Sequence, residues 1–252
     1  NQLSNIFVVS KKWATDNFSI VPQNYDASQP TFASSNAMGT GPFKITLREQ
    51  NIKTVFKKNN NWWGNVEHNI RRIELLPIAN AATRVAALLS GELDIVTDAP
   101  VQDLARIESS GAFKVQSIEQ MRTIFLGMDQ AVDQLRSGNT GDNPFKKKAV
   151  RQALYQAIDI EAIKKKVMRD LSSPAGIITF PGVTGYTKEL DKRLPYDVEA
   201  AKQLLADAGY PDGFDVELRC PNDRYVNDEA ICTAVVGMFG KIGINVTLNS
   251  QT

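Results

Sequence analysis

Arginine, tyrosine and asparagine side chains gather in one short stretch of this chain, Pro221-Asn222-Asp223-Arg224-Tyr225-Val226-Asn227-Asp228. Its flanks predict a strand before it and a helix after it, and α/β proteins hold ligands in loops outside the carboxyl ends of strands. Arg224 is a fixed cation whose planar fork suits a carboxylate, and Tyr225 offers a flat apolar face with a hydroxyl. Asn227 completes the polar set. The same residues also read as a surface arginine with an aromatic lid on a helix start. Taken alone, the stretch leaves binding and packing open.

No other grouping is arranged for reaction. His68 is the one histidine and sits in a polar loop, and the two cysteines are Cys220 and Cys232. From these no zinc, non-haem iron or Cys/His nucleophile centre can be assembled, so neither a metal nor a cofactor is expected. The cysteines fit one disulfide in an oxidising compartment or two quiet buried thiols. Gly39-Thr40-Gly41 has no Lys-Ser or Lys-Thr pair behind it and precedes a strand, which makes it turn chemistry rather than a phosphate cradle. Trp62 and Trp63 read as a cover for a sheet edge. The carboxylate pairs Asp159/Glu161 and Asp215/Glu217 lie where capping and strand alternation already explain them. An α/β hydrolase-type enzyme, the competing class, therefore lacks a nucleophile and base.

The elements that must position the 221–228 stretch follow from periodicity. Strands are predicted at 44–48, 53–57, 71–77, 93–96 (buried), 113–118, 123–128, 214–219 and 244–248. Helices are predicted at 12–17, 81–90, from 100 to about 111, as two segments within 146–168, at 198–208 and at 228–242. Asp159 and Asp197 stand where caps belong, and Gly91, Gly111 and Gly243 where helices stop. Two glycines before Pro42 predict a tight turn with unusual dihedrals, and Lys146-Lys147-Lys148 a solvated helix start. Strand alternating with helix marks a layered α/β protein.

Composition excludes further classes. Of the 252 residues 42% are hydrophobic and 23% charged, ordinary values for a chain that folds around a core. Lys plus Arg number 29 against 28 Asp plus Glu, a net charge of +1 that gives no reason to expect a nucleic-acid partner. No apolar run approaches the roughly 20 residues of a membrane span. Asn1 opens the sequence without a basic region and apolar run behind it, so a signal peptide is expected to be absent or removed. An edge strand running to Thr252 predicts pairing partners further along a natural chain.

Five motifs in order then carry a resemblance. Gly39-Thr40-Gly41-Pro42-Phe43, Asn61-Trp62-Trp63-Gly64, the run from Thr83 to Ile95, the run Pro144-Phe145 to Asp159, and Ala208-Gly209-Tyr210-Pro211-Asp212-Gly213-Phe214 together resemble the family 5 extracellular solute-binding proteins. This is the peptide- and nickel-binding group of ABC importers. The resemblance implies a two-lobed periplasmic-binding-protein-like α/β fold of the class II, cluster C type, here incomplete, whose lobes close on a ligand. It implies that 1–119 belong to lobe I and 120–252 to the second lobe (lobe III), truncated at its C-terminus, with a hinge at 117–122.

By the same resemblance Arg224 and Tyr225 fall where dipeptide-binding relatives engage the ligand carboxylate. Arg122, Thr123 and Phe125, at the lobe junction, are expected to face the cleft. The implied partners are a small peptide or related solute (an opine, oligosaccharide, nickel complex or haem in other members) and a membrane permease. The implied protein is a monomer, periplasmic or lipid-anchored outside the cytoplasmic membrane.

Overall fold

A computed structural model describes residues 8–24, 26, 31–118 and 120–251. The chain divides into two compact units, Asn1–Ala79 and Asn80–Thr252. The expected hinge at 117–122 thus falls inside the second unit, with Glu119 outside the described residues.

The first unit opens with the helix Lys11–Asp16 (α1), started by Ser10, whose hydroxyl accepts from the Trp13 N–H at 3.3 Å. A one-turn helix, Phe32–Ser35 (α2), follows. Strands Phe43–Glu49 (β1), Lys53–Lys58 (β2) and Arg72–Leu75 (β3) then form an antiparallel sheet in that order. The hairpin between β1 and β2 holds Asn51 at φ 59°, a left-handed conformation that asparagine tolerates. A bulge between Ile45 and Leu47 shifts the register by one residue.

The turn before β1 is built differently from the expectation. Neither Gly39 nor Gly41 has a positive φ, and no atom lies within 4 Å of where a Cβ would stand. The turn is fastened from outside instead. The Asn59 N–H donates to the Pro42 carbonyl at 2.7 Å, Asn59 Nδ2 to the Gly41 carbonyl at 3.3 Å, and Trp62 Nε1 to the Thr40 carbonyl at 2.9 Å. Trp62 is therefore a structural tie, while Trp63 is 83% exposed.

The second unit begins with the helix Ala81–Leu89 (α3), capped by Asn80, which accepts from the Thr83 N–H at 2.9 Å, and followed by Gly91 at φ 79°. The helix Leu104–Ser109 (α4) packs with it through Val85, Leu88 and Ile107. Three predicted strands are absent: 93–96, 113–118 and 123–128 run as irregular chain with no ladder. Nor is 93–96 buried, since Ile95 is 78% exposed. Apolar alternation marks residues that could face a core, but a strand exists only where a second backbone lies alongside. None does among the described residues.

The larger core belongs to the helices Lys148–Ala157 (α5), Ile160–Ala162 (α6), Val198–Asp207 (α7) and Asp228–Gly240 (α8) and the strands Phe214–Pro221 (β4) and Ile244–Gln251 (β5). Asp159 and Asp197 cap α6 and α7 as predicted, each accepting a backbone N–H at 2.9 Å. α6 does not continue as an α-helix; it relaxes into a π turn, Ile163–Val167. Val150, Ala153, Leu154, Ala157, Ala201, Leu205, Phe214, Val235, Phe239 and Ile244 share one buried cluster.

The basic run at the start of α5 is not simply solvated. Lys146 pairs with Asp133. Lys147 Nζ donates to the Ala208 carbonyl at 3.0 Å and lies 4.4 Å from the centre of the Tyr210 ring. The Tyr210 hydroxyl donates to Asp142 at 2.8 Å, and this bond, then Lys147, holds the Asp142 carboxyl below the ordinary aspartate value. The turn after α7 is thereby tied to α5.

β4 and β5 pair in parallel from Phe214 against Ile244 to Pro221 against Gln251. A parallel pair cannot be joined by a hairpin, and α8 supplies the crossover. The strands can start side by side only because their leading residues lack side chains: a Cβ on Gly213, at φ 74°, would sit 1.9 Å from the Gly243 carbonyl oxygen. At the far end of β4 a disulfide joins Cys220 to Cys232 in α8, settling the choice the sequence left open. Replacing both cysteines with serine is expected to cost about 3 kcal/mol, the loop-closure entropy of a bridge of this span, read as a lower midpoint in urea unfolding.

Candidate functional site

The loop between β4 and α8 leaves the sheet at Pro221, after which the Asn222 N–H donates to the Gln251 carbonyl at 3.1 Å and extends the pairing one residue further. The loop ends at Asn227, which stands at φ 58° and turns the chain into α8. The disulfide closes its base from Cys220 to Cys232. The segment is short, covalently bracketed and outside the carboxyl end of a parallel strand, the place the sequence assigned to it.

Asp228, the first residue of α8, is 5% exposed and organises this loop. One of its oxygens accepts from the N–H groups of Arg224 at 2.9 Å and Tyr225 at 3.3 Å, and the other from the Glu229 N–H at 2.9 Å. A carboxylate accepting backbone N–H groups at a helix start is favoured by those bonds and by the helix dipole. Arg122 approaches from the other side, its Nη1 donating to the Arg224 carbonyl at 3.3 Å. The Arg224 side chain is exposed and makes no ion pair among the described residues.

The remaining expected site residues separate into two kinds. Tyr225 is partly buried beside Arg224; burial first, and then the Asp228 charge, push its hydroxyl pKa up, against a smaller opposing pull from Arg224. Phe125 is 62% exposed. By contrast, Asn227 directs its amide at the protein, donating from Nδ2 to the Val167 carbonyl at 2.7 Å, and the Thr123 hydroxyl donates to the Ile178 carbonyl at 2.7 Å. The π turn ending at Val167 is thus bonded to the last residue of the loop.

The other chemistry-bearing groups are occupied structurally. The His68 ring stacks on Phe43 at 5.3 Å between centroids, and its Nδ1 accepts from the Ile70 N–H. Glu217 accepts from Arg219 and then Asn249, which together lower its pKa, and Asp215 accepts from Asn245. Among the described residues no cluster of three His, Cys, Asp or Glu side chains could hold a metal ion, and no helix is long and apolar enough to cross a membrane.

Comparison with known proteins finds relatives along most of the chain. The profile of the bacterial extracellular solute-binding proteins, family 5 Middle, matches residues 5–252. Haem-binding protein A of Haemophilus influenzae is 31% identical over 224 residues, covering 86% of this chain and 38% of that protein. The periplasmic murein peptide-binding protein MppA of Escherichia coli K12 is 25% identical over 245 residues, covering 94% and 44%. The ABC transporter-associated periplasmic binding protein DppA of Helicobacter pylori, solved with the peptide STSA, superposes with a TM-score of 0.69 at 22% identity, covering 97% of this chain and 43% of that one. The chain therefore spans about two fifths of the length of these relatives.

The Tyr225 environment predicts an alkaline effect. A raised folded-state pKa contributes stability that is complete below the unfolded tyrosine value of about 10 and is lost as pH rises through the folded value. Ultraviolet titration at the phenolate band is expected to show a late-ionising component to which Tyr186, Tyr210 and Tyr225 contribute, and Tyr225→Phe is expected to diminish that component without abolishing it.

Proposed function

The chain belongs to the family 5 bacterial extracellular solute-binding proteins, and from that premise we propose that it forms part of a subunit that captures di- or oligopeptides outside the cytoplasmic membrane and hands them to an ABC permease. The observation that carries this reading is the loop after β4, where Arg224 presents a guanidinium free of any ion pair among the described residues while its backbone is held on both sides. A peptide carboxylate would receive a charge-assisted, bidentate contact there, a bond of the kind worth about 1.5–3 kcal/mol. Tyr225 and Phe125 supply partly open aromatic surface in the same unit. The subunit acts by binding, with no bond in its ligand made or broken, and as a monomer.

Two lobes divided near 117–122 would let binding and closure be a single event, since a ligand touching both sides favours the closed state by its differential contacts. This reading is supported by the separation of the buried clusters within the second unit. One extends from Val85 to Val115 and the other from Leu126 to Val246, so the proposed hinge lies between them.

A second solute is favoured by one finding: the 31%-identical relative is named as a haem-binding protein. Titration calorimetry of the intact protein with Ser-Thr-Ser-Ala, glutathione and haem separates the two. Saturable heat with the peptides and none with haem is expected; the reverse overturns the peptide reading. Arg224→Ala is expected to raise the peptide Kd roughly tenfold or more, a loss of about 1.4 kcal/mol per factor of ten, with the unfolding midpoint unchanged. An unaltered Kd would remove Arg224 from the site.

A further inference from the structure

The loop that carries Arg224 and Tyr225 is gripped through its backbone. The Asp228 carboxylate takes the N–H groups of Arg224 and Tyr225, and the Arg122 guanidinium takes the Arg224 carbonyl, so the peptide unit between these two residues is held from its donor and acceptor sides. Asp228 is 5% exposed, so its carboxylate would be costly to leave without these partners. Further fastenings stand at the ends: the Cys220–Cys232 disulfide at the base, and Asn227, left-handed at φ 58° and bonded to the Val167 carbonyl. Every one of these contacts is made within the protein itself. None needs a ligand in order to form.

We propose that Asp228 and Arg122 are positioning residues that set the Arg224–Tyr225 loop in its binding conformation before a ligand arrives. The inference rests on the peptide-binding reading of that loop and goes beyond it by assigning roles to two residues that do not themselves recognise the ligand. Arg122 changes its expected part accordingly: its guanidinium serves the Arg224 backbone. The mechanism has a kinetic signature. When a loop must first find its competent form, apparent affinity falls by the competent fraction, and the fall appears in the association rate. A group that touches the ligand acts mainly on dissociation instead.

Asp228→Asn keeps the size and one acceptor oxygen but can no longer serve all three N–H groups. In the intact protein, stopped-flow binding of Ser-Thr-Ser-Ala and of glutathione is expected to show an association rate lowered roughly tenfold, with dissociation changed less than about twofold. Arg122→Ala, on an exposed side chain whose removal leaves the core intact, is expected to lower the association rate in the same way by a few fold. Arg224→Ala should raise the dissociation rate.

Amide exchange without ligand provides a second readout. The Arg224 and Tyr225 N–H groups are expected to be protected in the wild type and at least tenfold less protected in Asp228→Asn. Unchanged association rates in both variants, a change confined to dissociation, or fast exchange of these two amides in the ligand-free wild type would each overturn the proposal. If the wild type binds neither peptide, the peptide reading fails, while the exchange measurement still decides whether the loop is pre-set.

Discussion

Two parallel strands cannot be closed by a turn, and that constraint generates everything around the site. β4 and β5 run the same way, so the chain must travel back across the pair before β5 can begin, and α8 is that return path. The crossover has two loops. One, at Gly243, brings the chain so close to Gly213 that a side chain on Gly213 would collide with the Gly243 carbonyl, while Gly243 itself stands at the left-handed φ of 82°. The other, at the opposite end, has room, and it carries the loop's arginine and tyrosine. The buried faces of β4, β5 and α8 then join α5 and α7 in one core, which gives the open loop a rigid base.

The open loop is restrained in three physically distinct ways. The disulfide lowers the entropy of the unfolded chain, the left-handed Asn227 sets the direction of entry into α8, and hydrogen bonds from the loop backbone to the buried Asp228 carboxylate fix the loop's own path. Side chains on such a loop can remain solvated without making the backbone mobile. That separation suits recognition: ordering entropy is met during folding, and charged tips stay free for a partner.

The apolar stretches 93–96, 113–118 and 123–128 show what the same physics does when pairing is missing. Their sequences alternate or run apolar as strands do, yet Ile95, Ile118 and Phe125 are 78%, 88% and 62% exposed and no ladder forms. Helices fared better because their hydrogen bonds close within the segment. The helix ends at Asn80, Asp159 and Asp197 need only residues three positions away.

Sequence alone determined local features: most of the helices with the caps at Asp159 and Asp197, the strands β1 to β3, and the β4–α8–β5 order that leaves the 221–228 stretch between a strand and a helix. These are written in periods and offsets of a few residues, which one chain segment carries by itself. Tertiary structure decided whatever needs two distant segments. It turned Asn227 toward Val167 and Thr123 toward Ile178, brought Arg122 onto a backbone carbonyl 102 positions later, and sent the Asp228 carboxylate back into the loop rather than out to solvent. A helix-starting aspartate is visible in a sequence, but the groups it serves depend on where the preceding loop folds. Hydrogen bonds reward proximity in space, and proximity over such separations is set by how the core packs.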